Sequence, residues 1–315
     1  MTISSFFKLV EIRTKVASVI PYLLGTFYTL YAFESFKPAH AVLMFMSMLI
    51  FDMTTTAINN YMDYKKAIKK EGYGYEIHNA IVSYNLNIKT VRFIIFAMLF
   101  LSAALGILLA LSTNGIVLVL GMLCFGIGIA YTFGPLPISR TPFGEIFSGL
   151  TMGLLLTFIT IYIHIFDQNI IEISLSPEQV LMSFDLKILF HIGLVCIPLV
   201  TCIANIMLAN NICDMEEDFP NKRYTLPLYI GKEKALLLWE YLYYMAYSAI
   251  LMGILLKALP LISVATLFTL LPVLKNIRQF KAQPSKGKTF ICAIKNFMLL
   301  NVAYILTLVV ALFFN

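Results

Sequence analysis

Long, unbroken runs of apolar residues are the feature that most constrains how this chain can fold. A helix needs about 20 apolar residues to cross a bilayer, because the hydrocarbon core holds no water to pair its backbone polar groups. Hydrophobic residues make up 60% of the 315 positions and charged residues only 13%, whereas about a quarter of a soluble domain is charged. The composition therefore excludes an ordinary soluble enzyme, a disordered chain and a nucleic-acid-binding module. It predicts a polytopic membrane protein.

The runs predict nine membrane-spanning helices in a single all-α domain over residues 1–315. They do not alternate with polar residues as the strands of a membrane barrel do, which excludes that class. Little more than residues 257–260 separates the seventh run from the eighth, and merging the two would leave eight spans. The predicted spans are residues 16–34, 40–61, 91–112, 115–133, 145–166, 188–209, 234–256, 258–275 and 291–314.

The basic residues are distributed unevenly between the two sides that nine spans define. With the N-terminus inside, the outer loops hold Lys37, Lys187 and Lys257, and the other 20 of the 23 Lys and Arg residues lie on the inner side. Cytoplasmic loops carry such an excess of Lys and Arg. The sequence thus predicts a multi-pass protein of the cell membrane whose N-terminus is cytoplasmic. The net charge of +6 favours contact with anionic membrane lipid, and no nucleic acid is expected as a partner.

The inner ends of the second and sixth spans carry the same motif, N-N-x-x-D, which begins at Asn59 in one and at Asn210 in the other. Residues four apart lie on the same face of a helix. Asn59 and Asp63 therefore form one polar stripe, and Asn210, Asp214 and Asp218 form a second. If the two helices face each other, several carboxylates converge at one cytoplasmic cavity.

Carboxylates that converge in this way repel one another unless a positive charge lies between them. All-oxygen ligands favour Mg²⁺, which usually binds through one or two carboxylates together with substrate phosphates. The motifs therefore predict a phosphorylated substrate held by Mg²⁺. A single N-N-x-x-D also arises at helix ends for structural reasons alone, so the prediction depends on the presence of two copies. The acids Asp63, Asp214 and Asp218 are the candidate catalytic residues, and the candidate metal ligands are these three with Asn59 and Asn210.

Asp52 lies inside the second apolar run, near the helix face that carries Asn59 and Asp63. An ionisable residue within a span usually faces the interior of the bundle and indicates a functional site. The alternative is a buried aspartate that pairs with a backbone or hydroxyl group. The sequence leaves both interpretations open.

These motifs resemble those of the UbiA superfamily of membrane prenyltransferases, and within it the 1,4-dihydroxy-2-naphthoate polyprenyltransferase branch. The similarity runs over most of the chain, from about residue 13 to residue 231. The segments that carry it are NNICDMEEDFPNKRYTLPLYIG at residues 210–231, YTFGPLPISRTPFGEIFSGLTMG at residues 131–153, and Arg13-Thr14 with Pro21 and Leu24-Gly25 in the first helix.

The resemblance implies nine helices around a central cavity, with the motifs NxxxDxxxD and DxxxD at its cytoplasmic side. Asn59 and Asp63 match the start of the first motif, and Asp214 and Asp218 match the second. The chain departs from the pattern at Ala67, where the motif has its last aspartate, at Lys69, where the branch has a later aspartate, at Asn60, where an acidic residue is common, and at Glu11, where the branch usually carries arginine.

The resemblance also implies a reaction, the transfer of a polyprenyl group from an isoprenoid diphosphate to a dihydroxynaphthoate-like aromatic acceptor. Mg²⁺ would assist departure of the diphosphate, and loss of the acceptor's carboxylate would give demethylmenaquinone. Basic side chains are expected to bind outer phosphate oxygens and tyrosines to steady the allylic cation. The substrate-binding candidates are Asn59, Asn210, Lys66, Arg13, Lys222, Arg223, Tyr61, Tyr131, Tyr224 and Asp52.

Three other functions stay open from the sequence. A UbiA-type enzyme could use another acceptor, such as hydroxybenzoate, homogentisate, haem or glycerol phosphate. A secondary transporter also has polar residues in repeated halves, although its site lies near the bilayer midplane. The departures in the first motif are compatible with a non-catalytic paralogue. Two local features are also open, because Glu145 is either a helix N-terminal acid or a site residue, and residues 73–79 are either a lid or a connector.

Overall fold

The computed structural model describes residues 1–66, 79–175 and 178–314. Within these ranges nine helices are long and apolar enough to cross a membrane, which confirms the predicted all-α membrane fold. They are Ile12–Phe33 (α1), Pro38–Lys66 (α2), Ile88–Leu111 (α3), Gly115–Thr132 (α4), Gly144–Ile165 (α5), Leu186–Cys213 (α6), Lys232–Leu255 (α7), Leu261–Ala282 (α8) and Ile291–Ala311 (α9). Short helices in the connections are Ile3–Leu9, Ala80–Ser83, Ile138–Arg140, Met215–Asp218 and Leu226–Ile230.

Helices α2 and α6 continue further toward the inner side than their hydropathy predicts. The predicted ends are residues 61 and 209, whereas the helices end at Lys66 and Cys213. Hydropathy detects only the length that crosses hydrocarbon, and backbone hydrogen bonds carry a helix beyond it into the polar boundary. The motif residues that precede Cys213 therefore lie on regular helix. Helix α8 differs in the same way, since it ends at Ala282 rather than at residue 275.

The junction between α7 and α8 is a true turn, so the count of nine is correct for the described residues. The backbone N–H groups of Ala258 and Leu259 both donate to the carbonyl oxygen of Gly253, at 2.8 and 3.0 Å. Lys257 adopts a left-handed conformation with φ of 57°, which reverses the chain direction. Pro260 then precedes the first turn of α8.

The nine helices of the described chain form two packing groups that meet at α1 and α5. Helix α6 is the most deeply buried of the nine and packs against α5, α7 and α9. Helix α2 packs mainly against α3 and also contacts α1, α4 and α5. Because α1 contacts α2, α5 and α9, it joins the two groups. The two acid-bearing helices, α2 and α6, thus belong to different groups of the described bundle.

A reciprocal pair of hydrogen bonds fixes α6 against α7. The side-chain amide of Asn205 donates to the carbonyl oxygen of Trp239 at 2.9 Å, and the Trp239 indole N–H donates to the carbonyl oxygen of Asn205 at 3.0 Å. Both residues are fully buried, where an unpaired polar group is costly. The Trp239 ring packs edge-on against Tyr243. It also packs at a tilt against Phe280 of α8.

Helix α5 contains a π-helical segment at Gly149–Leu155 that the hydropathy pattern does not reveal. Two glycines in it lie directly against the backbone of α6. A Cβ atom added at Gly149 would lie 2.6 Å from the carbonyl oxygen of Val200, and one added at Gly153 would lie 2.6 Å from the Val200 Cα. Glycine at these two positions is therefore what lets the helices approach so closely.

An antiparallel hairpin on the outer side is a second element that the sequence analysis did not assign. It pairs Ile171–Leu175 (β1) with Val180–Phe184 (β2), with Ile171 opposite Phe184. Asp185 then caps α6, since its side chain accepts a hydrogen bond from the Ile188 N–H at 2.9 Å. Ion pairing between Lys37 and Asp167 lies on the same side of the bundle.

Because α5 approaches α6 so closely, we predict that a larger side chain at the contact lowers the stability of the protein. Gly153→Ala should lower the stability of the purified protein by about 1–3 kcal/mol, because the added methyl group overlaps backbone that cannot move aside. Gly193→Ala in α6 is the matched control, since nothing lies within 4 Å of a Cβ at that position. Thermal unfolding in detergent measures both. Equal midpoints for the two variants would contradict this packing.

Candidate active site

A cavity of about 210 Å³ lies among α1 to α5 and follows one face of α2. The α2 residues that line it run from Met44 to Asn59 at intervals of one, three or four residues, as expected for one helix face. At 1.5 Å per residue this face is ~22 Å long. Most of the wall is apolar, and the side chains that make it so include Met44, Met48, Phe51, Leu109, Val117, Phe125, Met152, Leu156 and Ile159.

The inner end of the cavity is polar and contains two of the predicted site residues, Asn59 and Tyr131. The Thr132 hydroxyl donates a hydrogen bond to the Asn59 side-chain oxygen. The Tyr131 hydroxyl donates to the carbonyl oxygen of Gly144 at 3.4 Å. Thus α2, α4 and the start of α5 meet at this point.

The second acidic motif is paired with a lysine from the connection between α8 and α9. The Asn210 side-chain N–H donates to the Asp214 carboxylate at 3.0 Å, so the predicted stripe of residues four apart is present. Lys286 donates to the Asn210 side-chain oxygen at 2.7 Å and also forms an ion pair with Asp214. Two oxygens from one helix face therefore converge on a single cationic group.

Asp218 is buried and has partners of its own. Its carboxylate lies 3.3 Å from the Arg223 side-chain nitrogen and accepts a hydrogen bond from the Thr225 hydroxyl at 3.3 Å. Burial raises the pKa of the Asp218 carboxyl above its ordinary value; the Arg223 charge opposes this shift and the Asp214 charge adds to it. The Arg223 guanidinium group therefore favours the ionised form of this carboxyl.

Glu145 connects the acidic motif to the inner end of the cavity. It lies in the first turn of α5, is 3% exposed, and accepts a hydrogen bond from the Asn211 side chain at 2.9 Å. Glu145 is close enough to Asp218 for the two groups to interact electrostatically. The Tyr131 hydroxyl is in turn within electrostatic range of both Glu145 and Arg223. Glu145 thus lies within the site as well as at a helix N-terminus.

Asp52 lines the cavity about two helical turns away from Asn59. Its carboxylate lies 2.7 Å from the Lys15 ammonium group and accepts a hydrogen bond from the Ser18 hydroxyl at 2.6 Å. The sequence left two interpretations open, a residue that faces the bundle interior and a buried aspartate that pairs with a hydroxyl group. Asp52 has both properties, since it lines the cavity and accepts a hydrogen bond from Ser18. The ion pair with Lys15 was not foreseen.

Several predicted site residues lie elsewhere or are only partly described. Tyr61 packs against the small cluster of Leu9 and Val10 rather than lining the cavity. Asp63 is exposed at the inner end of α2, where it takes part in a hydrogen bond, an ion pair or another electrostatic interaction. Residues that are exposed and do not line the cavity are Arg13, Lys222 and Tyr224. The Lys66 side chain, Ala67, Lys69 and residues 73–78 lie outside the described residues.

Two departures from the family pattern, Asn60 and Glu11, contact each other. The Asn60 side-chain N–H groups point toward the carbonyl oxygen of Leu9 at 3.0 Å and the Glu11 carboxylate at 3.2 Å. An amide N–H opposite a carboxylate makes a charge-assisted hydrogen bond. Asn60 therefore holds the N-terminal segment against α2 and does not face the cavity.

Three residues of the site were missed by sequence reasoning. Lys286 belongs to an inner basic cluster that predicted the orientation of the chain but not a contact with the acids. Asn211 adjoins the motif residue Asn210, and Lys15 lies at the start of the first span. Nothing in their local sequence indicates a partner, because each one contacts a helix that is distant along the chain. In the described ranges, no group of three His, Cys, Asp or Glu side chains is close enough to hold a metal ion.

Comparison with known proteins decides the family. The model of the UbiA prenyltransferase family matches residues 18–313. The chain belongs to the UbiA prenyltransferase family. It is also 30% identical over 240 residues to the 1,4-dihydroxy-2-naphthoate octaprenyltransferase of Bacillus subtilis (strain 168), covering 75% of this chain and 68% of that protein. The predicted family and the predicted class of enzyme, a prenyltransferase, are confirmed.

Solved structures share the UbiA fold at low sequence identity. A UbiA homologue from Aeropyrum pernix K1 superposes with a TM-score of 0.67 and 18% identity over 95% of this chain and 98% of that one. A UbiA homologue from Archaeoglobus fulgidus, bound to GPP and Mg²⁺, gives a TM-score of 0.65 and 15% identity over 98% and 99% of the two chains. These similarities establish the fold of this family member.

Proposed function

We propose that this UbiA-family protein transfers a polyprenyl group from an isoprenoid diphosphate to 1,4-dihydroxy-2-naphthoate, which gives demethylmenaquinone. The observation that carries the proposal is an apolar cavity within the membrane whose polar inner end adjoins a cation-paired acidic motif. A lipid-like donor needs both environments at once, because its tail is apolar and its diphosphate is anionic. The name of the Bacillus subtilis relative supports the choice of acceptor.

The apolar length of the cavity is suited to the prenyl chain. Helices α2 and α4 line it with Met48, Phe51 and Phe125, which offer no hydrogen-bonding group to a hydrocarbon. The diphosphate end of the donor would lie at the inner mouth, beside Asn59 and Tyr131. This direction agrees with the predicted basic loops of the same side, which attract phosphate.

The metal ligands we propose are Asp63, Asp214 and Asp218, assisted by the side-chain oxygens of Asn59 and Asn210; since the three acids of the described residues do not form one cluster, phosphate oxygens of the donor would complete the set. The donor set fits Mg²⁺ because every atom in it is a hard oxygen. Asn210 and Asp214 already converge on the Lys286 ammonium group, and a cation at this position is therefore compatible with the fold. A UbiA homologue of the same fold has been solved with GPP and Mg²⁺. When bound, Mg²⁺ would offset the negative charge of the departing diphosphate.

The chain's own side chains would bind the phosphates and shield the reacting carbon. Arg223 and Lys286 lie beside the acids, where their positive charge can pair with outer phosphate oxygens. We assign Lys222, Lys66 and Arg13 the same role at the rim. The Tyr131 ring borders the cavity at the point where the allylic carbon would become cationic, and the surrounding apolar wall would exclude water. Neither Tyr61 nor Tyr224 lines the cavity. We therefore do not propose that Tyr61 stabilises the allylic cation, and we place Tyr224 at the rim.

Substitution of the acidic motif tests the proposal. With an isoprenoid diphosphate, dihydroxynaphthoate and Mg²⁺, the wild-type protein should release pyrophosphate and form a prenylated naphthol. Asp214→Asn and Asp218→Asn should each lower turnover by roughly 100-fold or more, because removing a preorganised group that meets the leaving group's charge costs about that much. Mass spectrometry of the product measures this. Glu216→Gln, on an exposed side chain of the same segment, should keep wild-type turnover. Wild-type turnover in either aspartate variant would refute the assigned site.

The pairing of Lys286 with Asp214 makes a separate prediction about metal binding. Lys286→Met should tighten Mn²⁺ binding in the absence of substrate by roughly two- to five-fold, since a half-exposed lysine competes weakly with the metal for Asp214. Electron paramagnetic resonance of free Mn²⁺ gives the affinity directly. Lys288→Met, two residues further along the same connection, is the control. Equal or weaker Mn²⁺ binding in Lys286→Met would show that Asp214 is not a ligand.

We propose that the protein resides in the cell membrane with the inner mouth facing the cytoplasm. The distribution of Lys and Arg in the sequence supports this orientation. A fluorescent reporter inserted after Lys286 should fold and emit, and a periplasmic alkaline phosphatase inserted after Asp185 should be active. Activity of the phosphatase at the first position and not at the second would reverse the orientation.

A further inference from the structure

A buried ion pair forms part of the cavity wall at a depth where charges are costly. Asp52 lines the cavity from the middle of α2, and its side chain keeps 18% of its surface exposed. Its partner Lys15 is only 5% exposed and does not line the cavity. The acid of the pair therefore faces the space that a substrate would enter, and the base stands behind it.

Lys15 has no hydrogen-bonding capacity left for a ligand. An ammonium group has three N–H donors. They are directed at the Asp52 carboxylate at 2.7 Å, the Asp52 carbonyl oxygen at 3.2 Å and the Thr56 hydroxyl at 2.6 Å. The position of Lys15 therefore fixes the orientation of the Asp52 side chain.

The Asp52 carboxylate, in contrast, has spare capacity. Two oxygens offer about four acceptor sites. Within the described residues, the side-chain donors that reach the carboxylate are the Lys15 ammonium group and the Ser18 hydroxyl. The single O–H of Ser18 can be donated either to Asp52 or to the carbonyl oxygen of Lys15, which lies 2.9 Å away. The exposed part of Asp52 can accept a further hydrogen bond from a molecule in the cavity.

The chemistry of the wall restricts what that molecule can be. A prenyl chain has no donor, and a diphosphate is repelled by a carboxylate. Asp52 has the apolar side chains of Met48 and Phe51 beside it on α2, and the hydroxyl groups of Ser18 and Thr55 also line the cavity. The ligand that fits is a flat, mostly apolar body that turns a neutral O–H group toward Asp52 and any anionic group away from it, which is a hydroxylated aromatic ring.

We propose that Asp52 binds a hydroxyl group of the aromatic acceptor and that Lys15 is the positioning residue behind it. The inference rests on the proposed function, because it assigns the place of the second substrate in the same cavity. The acceptor would then lie deeper in the membrane than the diphosphate, which binds at Asn59 and beyond. The acceptor would lie against α2 at Asp52, and the prenyl chain would pass beside it along the wall that α3, α4 and α5 form.

Direct binding of the acceptor tests the proposal without requiring turnover. The double variant Lys15→Met/Asp52→Leu removes both charges together, since removing one alone would leave the other buried and unpaired. Quenching of the intrinsic fluorescence of dihydroxynaphthoate should show affinity roughly 10- to 100-fold weaker than in the wild type, the range expected for a hydrogen bond to a charged group. Lys15→Met/Asp52→Asn, which keeps an acceptor oxygen, should recover part of that loss. Lys281→Met/Glu240→Gln removes an ion pair that does not line the cavity and should leave the affinity unchanged.

A second experiment changes the ligand instead of the protein. Of the two monomethyl ethers of dihydroxynaphthoate, at least one should bind roughly 10-fold or more weakly, and the Lys15→Met/Asp52→Leu variant should not distinguish that ether from the parent compound. Wild-type affinity in the double variant, or binding of both ethers by the wild-type protein as tightly as the parent compound, would overturn the proposal. If the wild-type protein binds dihydroxynaphthoate through Asp52 but forms no prenylated product from it, the proposed reaction fails while the binding site stands.

Discussion

The low polarity of the bilayer interior determines where this chain can carry charge. In the middle of the bundle the Lys15–Asp52 pair shows the only way in which a described span tolerates ionised groups there, as partners of one another with a hydroxyl completing the set. At the inner boundary the constraint relaxes. Asp214 and Asp218 meet Lys286 and Arg223 in surroundings that a charged substrate can also reach. The same physical rule thus separates a region for hydrocarbon from a region for phosphate.

This separation explains why the reaction proposed for the chain belongs in a membrane. A prenyl donor has one end that dissolves in lipid and another that does not, and the cavity beside α2 changes from apolar to polar over ~22 Å in the same sense. The two acidic helices lie in different packing groups, with Tyr131 and Glu145 between them at the inner end. A substrate with several phosphate oxygens is able to bridge such groups.

Hydropathy and charge predicted the nine spans and their orientation-defining loops because bilayer crossing depends on composition over about 20 residues. The spacing of Asn210 and Asp214 likewise predicted a contact, since both lie on one helix. The partners of these acids could not be read in this way. Lys286 and Arg223 approach from connections, and Lys15 reaches Asp52 from another helix, so their positions depend on tertiary packing. The π-helical turn of α5 was missed for the same reason, because two of its glycines pack closely against Val200 of another helix. Tyr61 was predicted in the site because it adjoins a motif residue in the sequence. Its side chain lies on another face of α2 and packs against the cluster of Leu9 and Val10.

The central claim is that the inner ends of α2 and α6 hold one diphosphate between them. An experimental structure of the protein with a non-hydrolysable prenyl diphosphate and Mg²⁺ tests it most directly. The account predicts phosphate and metal density between Asn59 and Asp63 on one side and Asp214 and Asp218 on the other, with the prenyl chain extending along α2 toward Met44. A diphosphate bound by only one of the two helix ends, or a prenyl chain lying outside the cavity, would contradict it.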